Sequence, residues 1–425
     1  GTAFAQDTAT GVVYHDRNKN QQFDESDAPL SGVRVSNGTD IVATDANGKY
    51  ELSVTNDTTI FVIKPRGYRT PFDDHMLPQF YYTHKPEGSP ESRFEGVAPT
   101  GPLPESIDFP LYPQDEPNTF RAVLWADPQP RNKKEIEYIT HDVIEELIGV
   151  DAAFGVTLGD IMFDDLSLFE ELNMRVAMIG IPWYNVIGNH DINMDSHDDT
   201  HSDETYERVY GPPYYSFDYG PVHFIVMDTV RWYWDEEDDR GRYDGGIDAA
   251  QLEFIENDLA DVPEDKLLVL MMHIPLTIGQ MRENEREKLF NILDDREFTL
   301  SISGHTHYQD HVFVGEEMDW NGKKRHHHVI NVTVSGSWWS GAPDEKGIPH
   351  TTMRDGAPNG YSFITFDGTD YSIDFKAARR PADHQMNIYT PEEVDAADVG
   401  DVEVIANVFA GNEKSKVMMK INDGD

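Results

Sequence analysis

The 425-residue sequence contains no cysteine. That excludes disulfides, a thiolate nucleophile and cysteine-ligated zinc, so any metal must be held by Asp, Asn, Gln and His. Positive charge is scarce, with 34 Lys+Arg against 78 Asp+Glu and a formal net charge of -44 at pH 7. The basic face that a duplex-binding protein uses to neutralise phosphates is missing, so bulk nucleic acid is not expected as a partner. Long hydrophobic runs are also lacking. Stretches such as Leu267 to Met272 have the length of buried strands, far short of the roughly 20 apolar residues of a membrane span, so no transmembrane segment is expected. What is present suffices for folded cores: 38% of residues are hydrophobic and 11% aromatic, which a disordered acidic polymer lacks.

Self-repulsion among so many acids destabilises a compact state in dilute buffer. Because about 1 M salt shortens the Debye length to roughly 3 Å, a saline habitat is the preferred explanation. Bound divalent cations are a second, and a solvated surface without a specific role a third. The opening Ala3-Phe4-Ala5 has the small-x-small form of a signal-peptidase site. A secreted or periplasmic location is the expectation drawn from it, with a cloning remnant as the alternative.

The length suggests roughly three domains, and the pattern divides accordingly. Residues 1–113 are short alternating runs broken by Gly, Pro, Asn and Asp, which predicts an all-β sandwich. From 118 to 322 apolar strands alternate with helical stretches, the signature of a layered α/β domain. Residues 323–425 return to strand-like runs, so a mostly β module is expected to close the chain. The first region, with Gly11-Val12-Val13-Tyr14, Gly32-Val33-Arg34-Val35 and Asp45-Ala46-Asn47-Gly48, resembles the β-sandwich repeats of bacterial surface adhesins and carboxypeptidase regulatory-like domains. In it Asp16, Asn18, Asn20, Asp24 and Asp27 take positions 1, 3, 5, 9 and 12 of an EF-hand-like loop, with Gln21 where such a loop has Gly. These residues are a candidate calcium site, with an Asx-rich turn as the alternative.

In the middle region polar residues follow apolar strands at regular intervals. Phe120–Trp125 leads into Asp127 and Gln129, Phe154–Leu158 into Gly159-Asp160, and Trp183–Ile187 into Gly188-Asn189-His190-Asp191. Leu267–Met272 leads into His273, and Leu300–Ser303 into Gly304-His305-Thr306-His307. Helical spacing between the first three (Ile136, Ile139, Val143, Leu147; then Leu168, Leu172, Val176) predicts parallel strands whose carboxyl ends share one edge, where α/β sheets place ligands. Asp127, Gln129, Asp160, Asn189, His273, His305 and His307 would then converge without a Lys or Arg among them, an arrangement only cations satisfy. Two ions about 3.5 to 4 Å apart, bridged by a carboxylate, use them all. Gly159, Gly188 and Gly304 suit tight turns and close backbone approach.

These ordered blocks, strongest in Gly188-Asn189-His190-Asp191 and Gly304-His305-Thr306-His307, resemble the calcineurin-like metallophosphoesterases. The segments Gly336-Ser337-Trp338-Trp339 and Asp355-Gly356-Ala357-Pro358-Asn359-Gly360-Tyr361 resemble the C-terminal domain of a bacterial three-domain subgroup. The fold class implied is α/β, a two-layered β-sheet sandwich flanked by helices, between an N-terminal β sandwich and a mostly β C-terminal part. The resemblance implies a phosphoric ester hydrolase with two divalent metals, Mn, Fe or Zn, with Mg also allowed. Asp127, Asp160, His307 and Gln129 would form the first site and Asp160, Asn189, His273 and His305 the second. A hydroxide bridging the metals would attack phosphorus, His190 would act as general acid, and Asp191 would orient His190.

Gln129 stands in the family's His position, so the first site is expected to be weaker and to tilt away from Zn, or else to hold water in place of the amide. Trp338, Trp339, Asn359 and Tyr361 are candidate substrate contacts, although adjacent strand residues face opposite ways and core packing is an equal reading for the tryptophans. His326-His327-His328, after Lys323-Lys324-Arg325, reads as a solvated hairpin tip. The acidic runs Asp195–Glu204 and Asp235–Asp239 read as solvated insertions, with a lid against polyanions as the alternative. The substrate expected is a small phosphate ester, a monoester in preference to a diester. A surface-binding protein with a vestigial metal site is the rival of another class. The oligomeric state is not legible.

Overall fold

The computed structural model describes residues 7–420. Ala3-Phe4-Ala5 lies outside the described residues.

The N-terminal region is a β sandwich. Asp7–His15 pairs with Lys49–Val54 and with Phe109–Pro113 in one sheet, while Arg34–Ser36, Thr58–Val62 and Tyr81–His84 form the heart of the other. Alternation explains the inward faces: in Lys49–Val54 the buried residues are Tyr50, Leu52 and Val54, every second side chain. This sandwich packs on the central layers through Phe61 against Phe254, 5.6 Å between ring centroids, and through the ion pairs Arg34–Asp258 and Lys64–Glu116, both 2.6 Å.

Two sheets form the centre. One runs Trp183–Val186, Phe154–Leu158, Thr119–Trp125, Gly360–Asp367, Asp370–Ala377. The other runs Tyr215–Tyr219, Val222–Val226, Leu267–Met271, Thr299–Ser303, His326–Ile330, Asp310–Val314. They meet face to face through aromatic rings, with Phe154 to Phe224 at 5.4 Å and Phe224 to Phe366 at 5.5 Å. The first three strands named pair in parallel, as do Leu267–Met271, Thr299–Ser303 and His326–Ile330. Helices cover the outer faces. Lys133–Leu147 buries the expected stripe of Ile136, Ile139, Val143, Ile144 and Leu147, and Phe169–Val176 buries Leu172 and Val176, as the 3.6-residue period requires. Among the described residues no helix is long and apolar enough to cross a membrane.

The C-terminal part is mostly β, and its first strands pair with those of the central sheets. His326–Ile330 lies beside Thr299–Ser303, and Gly360–Asp367 pairs antiparallel with Thr119–Trp125. The reason is burial: Phe366 stacks on Phe120 at 4.9 Å within the main core. A small second cluster (Val332, Met353, Phe375, Phe409) lies under the terminal hairpin. His326-His327-His328 is not a solvated tip. It is a strand in which His326 and His328 are fully buried and both meet Ser301 Oγ at 2.6 Å.

Candidate active site

Parallel strands bring the polar ends of five chain segments to one edge. Asp127 and Gln129 follow Thr119–Trp125, Asp160 follows Phe154–Leu158, Asn189 and His190 follow Trp183–Val186, His273 follows Leu267–Met271, and His305 and His307 follow Thr299–Ser303. The turns are tight enough to force unusual backbone. Asp127, Gln129, Asp160, Asp164, His305, His307 and Trp338 all have positive φ, from 40° at Gln129 to 76° at His305. Each such non-glycine residue stores strain on the order of 1 kcal/mol or more, which the surrounding fold must hold in place. Two glycines are required by close approach: a Cβ on Gly188 would lie 2.0 Å from the Asp160 backbone N, and one on Gly304 2.6 Å from Asp127 Oδ2.

Ligand atoms of Asp160, His273 and His305 lie within 4.8 Å of one another. His273 Nε2 is 3.1 Å from both Asp160 Oδ1 and Asn189 Oδ1, and His305 Nδ1 is 3.2 Å from His273 Nε2. Each imidazole meets an oxygen on its outer side: His273 Nδ1 meets Leu158 O at 2.8 Å, His305 Nε2 meets Gln280 Oε1 at 2.9 Å, and His307 Nδ1 meets Gly336 O. Carbonyl and amide oxygens only accept, so those nitrogens carry hydrogens and the inner nitrogens are the ones that can bind a proton or, in its place, a cation, as in metal-ligating histidines. Asp127 adds a carboxylate 3.5 Å from His307 Nε2. The donor set therefore fits divalent cations.

Charge in the pocket is tightly coupled. Burial opposes ionisation of Asp160, but His273 and His190 hold its carboxyl far below the usual range. Burial likewise opposes charge on His273, yet Asp160 raises it to about 9. Burial and the neighbouring His273 press His305 down to about 3. Protons on imidazole are one counter-charge to Asp127 and Asp160, and a cation is the other.

His190 does not pair with its sequence neighbour Asp191. Its Nδ1 lies 2.6 Å from Asp164 Oδ1, and its ring stacks on Phe163 at 4.5 Å. Asp191 instead accepts from the backbone N–H groups of Ile161, Met162 and Gly188 at 2.9 to 3.0 Å, bracing two of the strand-end turns. The correction has a geometric cause: with the Asp191 carboxylate committed to three amides, Asp164, reached through the positive-φ turn, is the acid at the ring. Burial works against a charged His190, but Asp160 and Asp164 raise it to about 9.

Gln129 is in the site with its amide fixed. The indole Nε1–H of Trp338 donates to Gln129 Oε1 at 2.7 Å, and Gln129 Nε2 donates to Asp160 Oδ2. An indole N–H can only donate, so the amide oxygen faces Trp338 and the nitrogen faces the carboxylate. In this arrangement the amide oxygen is already engaged by the indole.

A pocket of about 350 Å³ opens over these groups and includes Trp338, with Tyr243, Gln280, Tyr308 and Arg354 on its walls. None of those last four was singled out from the sequence. Tyr243 and Gln280 have no motif. Of the candidate substrate contacts only Trp338 lines the pocket. Trp339 is buried against Tyr138, Asn359 donates to Asp142 Oδ2 and Val334 O, and the Tyr361 hydroxyl reaches Glu146. These three pack on the Lys133–Leu147 helix, which corrects their assignment.

The candidate calcium residues form a closed loop. Asp16 accepts from the N–H groups of Lys19 and Gln21 and from the Tyr112 hydroxyl, at 2.7 to 2.9 Å. Asn18 and Asn20 donate to Asp24, and Asp27 accepts from the N–H groups of Arg17 and Asp24. The run Asp195–Glu204 is no lid: Asp195 binds Ser92 and Arg93, and buried Glu204 holds Lys85 at 2.5 Å, fastening the sandwich to the centre. Asp235–Asp239 caps the hairpin whose second strand, Arg240–Gly245, carries Tyr243.

Family models described as the N terminal of calcineurin-like phosphoesterase, calcineurin-like phosphoesterase, and the C terminal of calcineurin-like phosphoesterase match residues 17–98, 126–309 and 328–425. A search of curated proteins gives no match. Similar solved structures include a purple acid phosphatase from yellow lupin (Lupinus luteus) seeds, 16% identical with a TM-score of 0.45, covering 81% of this chain and 66% of that one. The chain thus spans just under two thirds of that protein. A PhoD structure is 10% identical with a TM-score of 0.43, covering 89% of this chain and 81% of that one. A dimetal phosphatase from Danio rerio is 14% identical with a TM-score of 0.41, covering 69% and 100%. Matched by these family models over residues 17–98, 126–309 and 328–425, the chain belongs to the calcineurin-like phosphoesterases.

Proposed function

We propose that the chain hydrolyses small phosphate esters, monoesters in preference to diesters, at a centre of two divalent cations. The observation that carries this reading is the meeting of Asp160, His273 and His305 within ligand distance in the same pocket as His190. Asp160, Asn189, His273 and His305 would hold one cation, and Asp127, Asp160 and His307 the other. Bound there, the cations supply the Lewis acidity that activates water and neutralises charge on the phosphoryl oxygens.

The remaining steps belong to the chain's own side chains. His190, raised to about 9, is protonated at neutral pH. Its Nδ1–H is spent on Asp164, which leaves Nε2–H to give its proton to the departing ester oxygen as the P–O bond breaks. Solvent then reprotonates the ring. Phe163 fixes the plane of the imidazole. Gln129, held by Trp338, orients Asp160 and is not itself a ligand. Protonated His190 adds a positive charge beside the cations, which suits the dianionic phosphoryl group of a monoester. The diester reading on the same scaffold is the alternative.

The test is metal-dependent turnover of p-nitrophenyl phosphate against bis-p-nitrophenyl phosphate. Faster turnover of the first supports the monoester reading, and faster turnover of the second replaces it with the diester one. Two bound metals with turnover of neither would favour a binding role.

A further inference from the structure

We infer that Arg354 is a specificity residue that reads a second anionic group, a phosphate or a carboxylate, on the ester whose scissile phosphoryl group sits at the cations. The inference rests on the hydrolase reading above and names the substrate class of that site. Arg354 is the one Lys or Arg lining the pocket that holds Asp160, His190, His305 and His307. Its backbone is pinned to the site, since its N–H donates to His307 O at 2.7 Å. The turn that carries it is held on both sides: Met353 N–H donates to Ala357 O at 2.7 Å, Ser337 N–H to Thr352 O at 2.8 Å, and Thr351 Oγ1 to Trp338 O at 2.8 Å. Met353 is buried at 2% exposure while Arg354 is exposed. A fixed base thus carries a free head.

Among the described residues that head has no acid of its own. In a chain with 78 Asp+Glu, no carboxylate among the described residues forms an ion pair with Arg354, and its neighbour Asp355 is committed to the N–H groups of Gln309 and Ala357, both at 2.9 Å. A guanidinium offers a planar fork of five donors, suited to two oxygens of a carboxylate or phosphate. The scissile phosphoryl charge is already met by the cations and His190, which leaves the Arg354 fork for a different anion. Tyr243, Tyr308 and Trp338 on the same walls offer apolar faces to the organic part that joins the two anions. Against the long-range repulsion of a chain with net charge -44, a local cation of this kind decides which polyanionic esters bind.

The test compares phenyl phosphate, 3-carboxyphenyl phosphate and 1,3-phenylene bisphosphate with the metal-loaded wild type, Arg354→Gln and Arg354→Lys. The wild type is expected to prefer one or both doubly anionic esters by about tenfold in kcat/KM, mainly through KM. In Arg354→Gln that preference ratio collapses towards one, and Arg354→Lys restores part of it. The carboxylate and bisphosphate arms separate the two sources of the second anion. A ratio unchanged by Arg354→Gln overturns the inference. Affinity for phenylphosphonate and 3-carboxyphenylphosphonate, read by calorimetry, gives the same comparison without turnover. Tighter binding of the carboxy analogue that Arg354→Gln abolishes would support the inference even if no ester is cleaved, an outcome that would instead defeat the hydrolase reading. Equal affinities in wild type overturn it for the carboxylate, and the bisphosphate arm then decides.

Discussion

Asp160 and Asp228 each follow an apolar strand into a cluster of acids, yet the two clusters handle charge in opposite ways. Around Asp160 the neighbours are imidazoles, and the carboxyl is held far below its usual range despite burial. Asp228 lines a cleft between the sandwich and the centre with Asp57, Asp199, Asp203, Glu207 and Asp248. There burial, followed by Asp199 and Asp248, pushes Asp228 up to about 8, and burial with Glu204 pushes Glu207 to about 7 against the pull of Lys85. Two cations serve the cleft. Arg231 lies 2.5 Å from Asp199, and Lys85 lies 3.0, 2.5 and 3.3 Å from Asp57, Glu204 and Glu207. Asp57, His201 and Glu204 also bring ligand atoms within 4.8 Å, but the Lys85 ammonium already bridges the two carboxylates. An acid that faces imidazoles able to carry a proton, as Asp160 does, stays charged and can hold a metal, whereas acids that face one another keep protons or take a lysine.

The largest effect should come from removing an inward imidazole. His273→Ala is expected to weaken metal binding by more than about 100-fold and abolish turnover, read by metal analysis after dialysis and by rate. His190→Asn should leave metal content near wild type while lowering the rate by about 100-fold. Lost metal in that variant would show the residue belongs to the ligand set. Asp164→Asn should move the basic limb of the pH–rate profile to lower pH. The general acid works only while protonated, and Asp164 is one of the groups that raise His190 to about 9. Asp191→Asn should instead lower the melting temperature, because a side-chain amide has one acceptor oxygen where the carboxylate uses two, which leaves at least one of the three buried N–H groups unpaired. Equal pH shifts from the two variants would contradict the roles assigned here.

The smallest effect tests the cleft. Asp228 is raised above its ordinary value, so its contribution to stability is complete below about pH 4 and is lost as pH rises through about 8. Asp228→Asn should flatten the fall in melting temperature between those limits. A slope unchanged by the substitution would mean Asp228 does not govern the pH response.

Much of this was legible because periodicity and strand-end position are local. The alternation in Lys49–Val54, the stripe from Ile136 to Leu147 and the polar residues after five strands are all written in the sequence. What failed required tertiary pairing. Asp191 is adjacent to His190 in sequence, but the carboxylate that reaches the ring belongs to Asp164, 26 residues earlier. The orientation of Gln129 is set by Trp338, 209 residues downstream. His326 and His328 sit on a strand whose partners, Ser301 among them, supply the hydrogen bonds that let imidazole be buried. Asn359 and Tyr361 belong to a segment that resembles the family's, but the sheet turns them towards a helix and away from the pocket.

The central claim is that five strand ends hold a pair of cations, and anomalous scattering from crystals soaked in manganese measures it most directly. The account predicts two peaks flanking the Asp160 carboxylate, one towards His273 and His305 and the other towards Asp127 and His307, with the Gln129 amide oxygen still on Trp338. A single peak in the acidic cleft near Asp228, with none at Asp160, would contradict it.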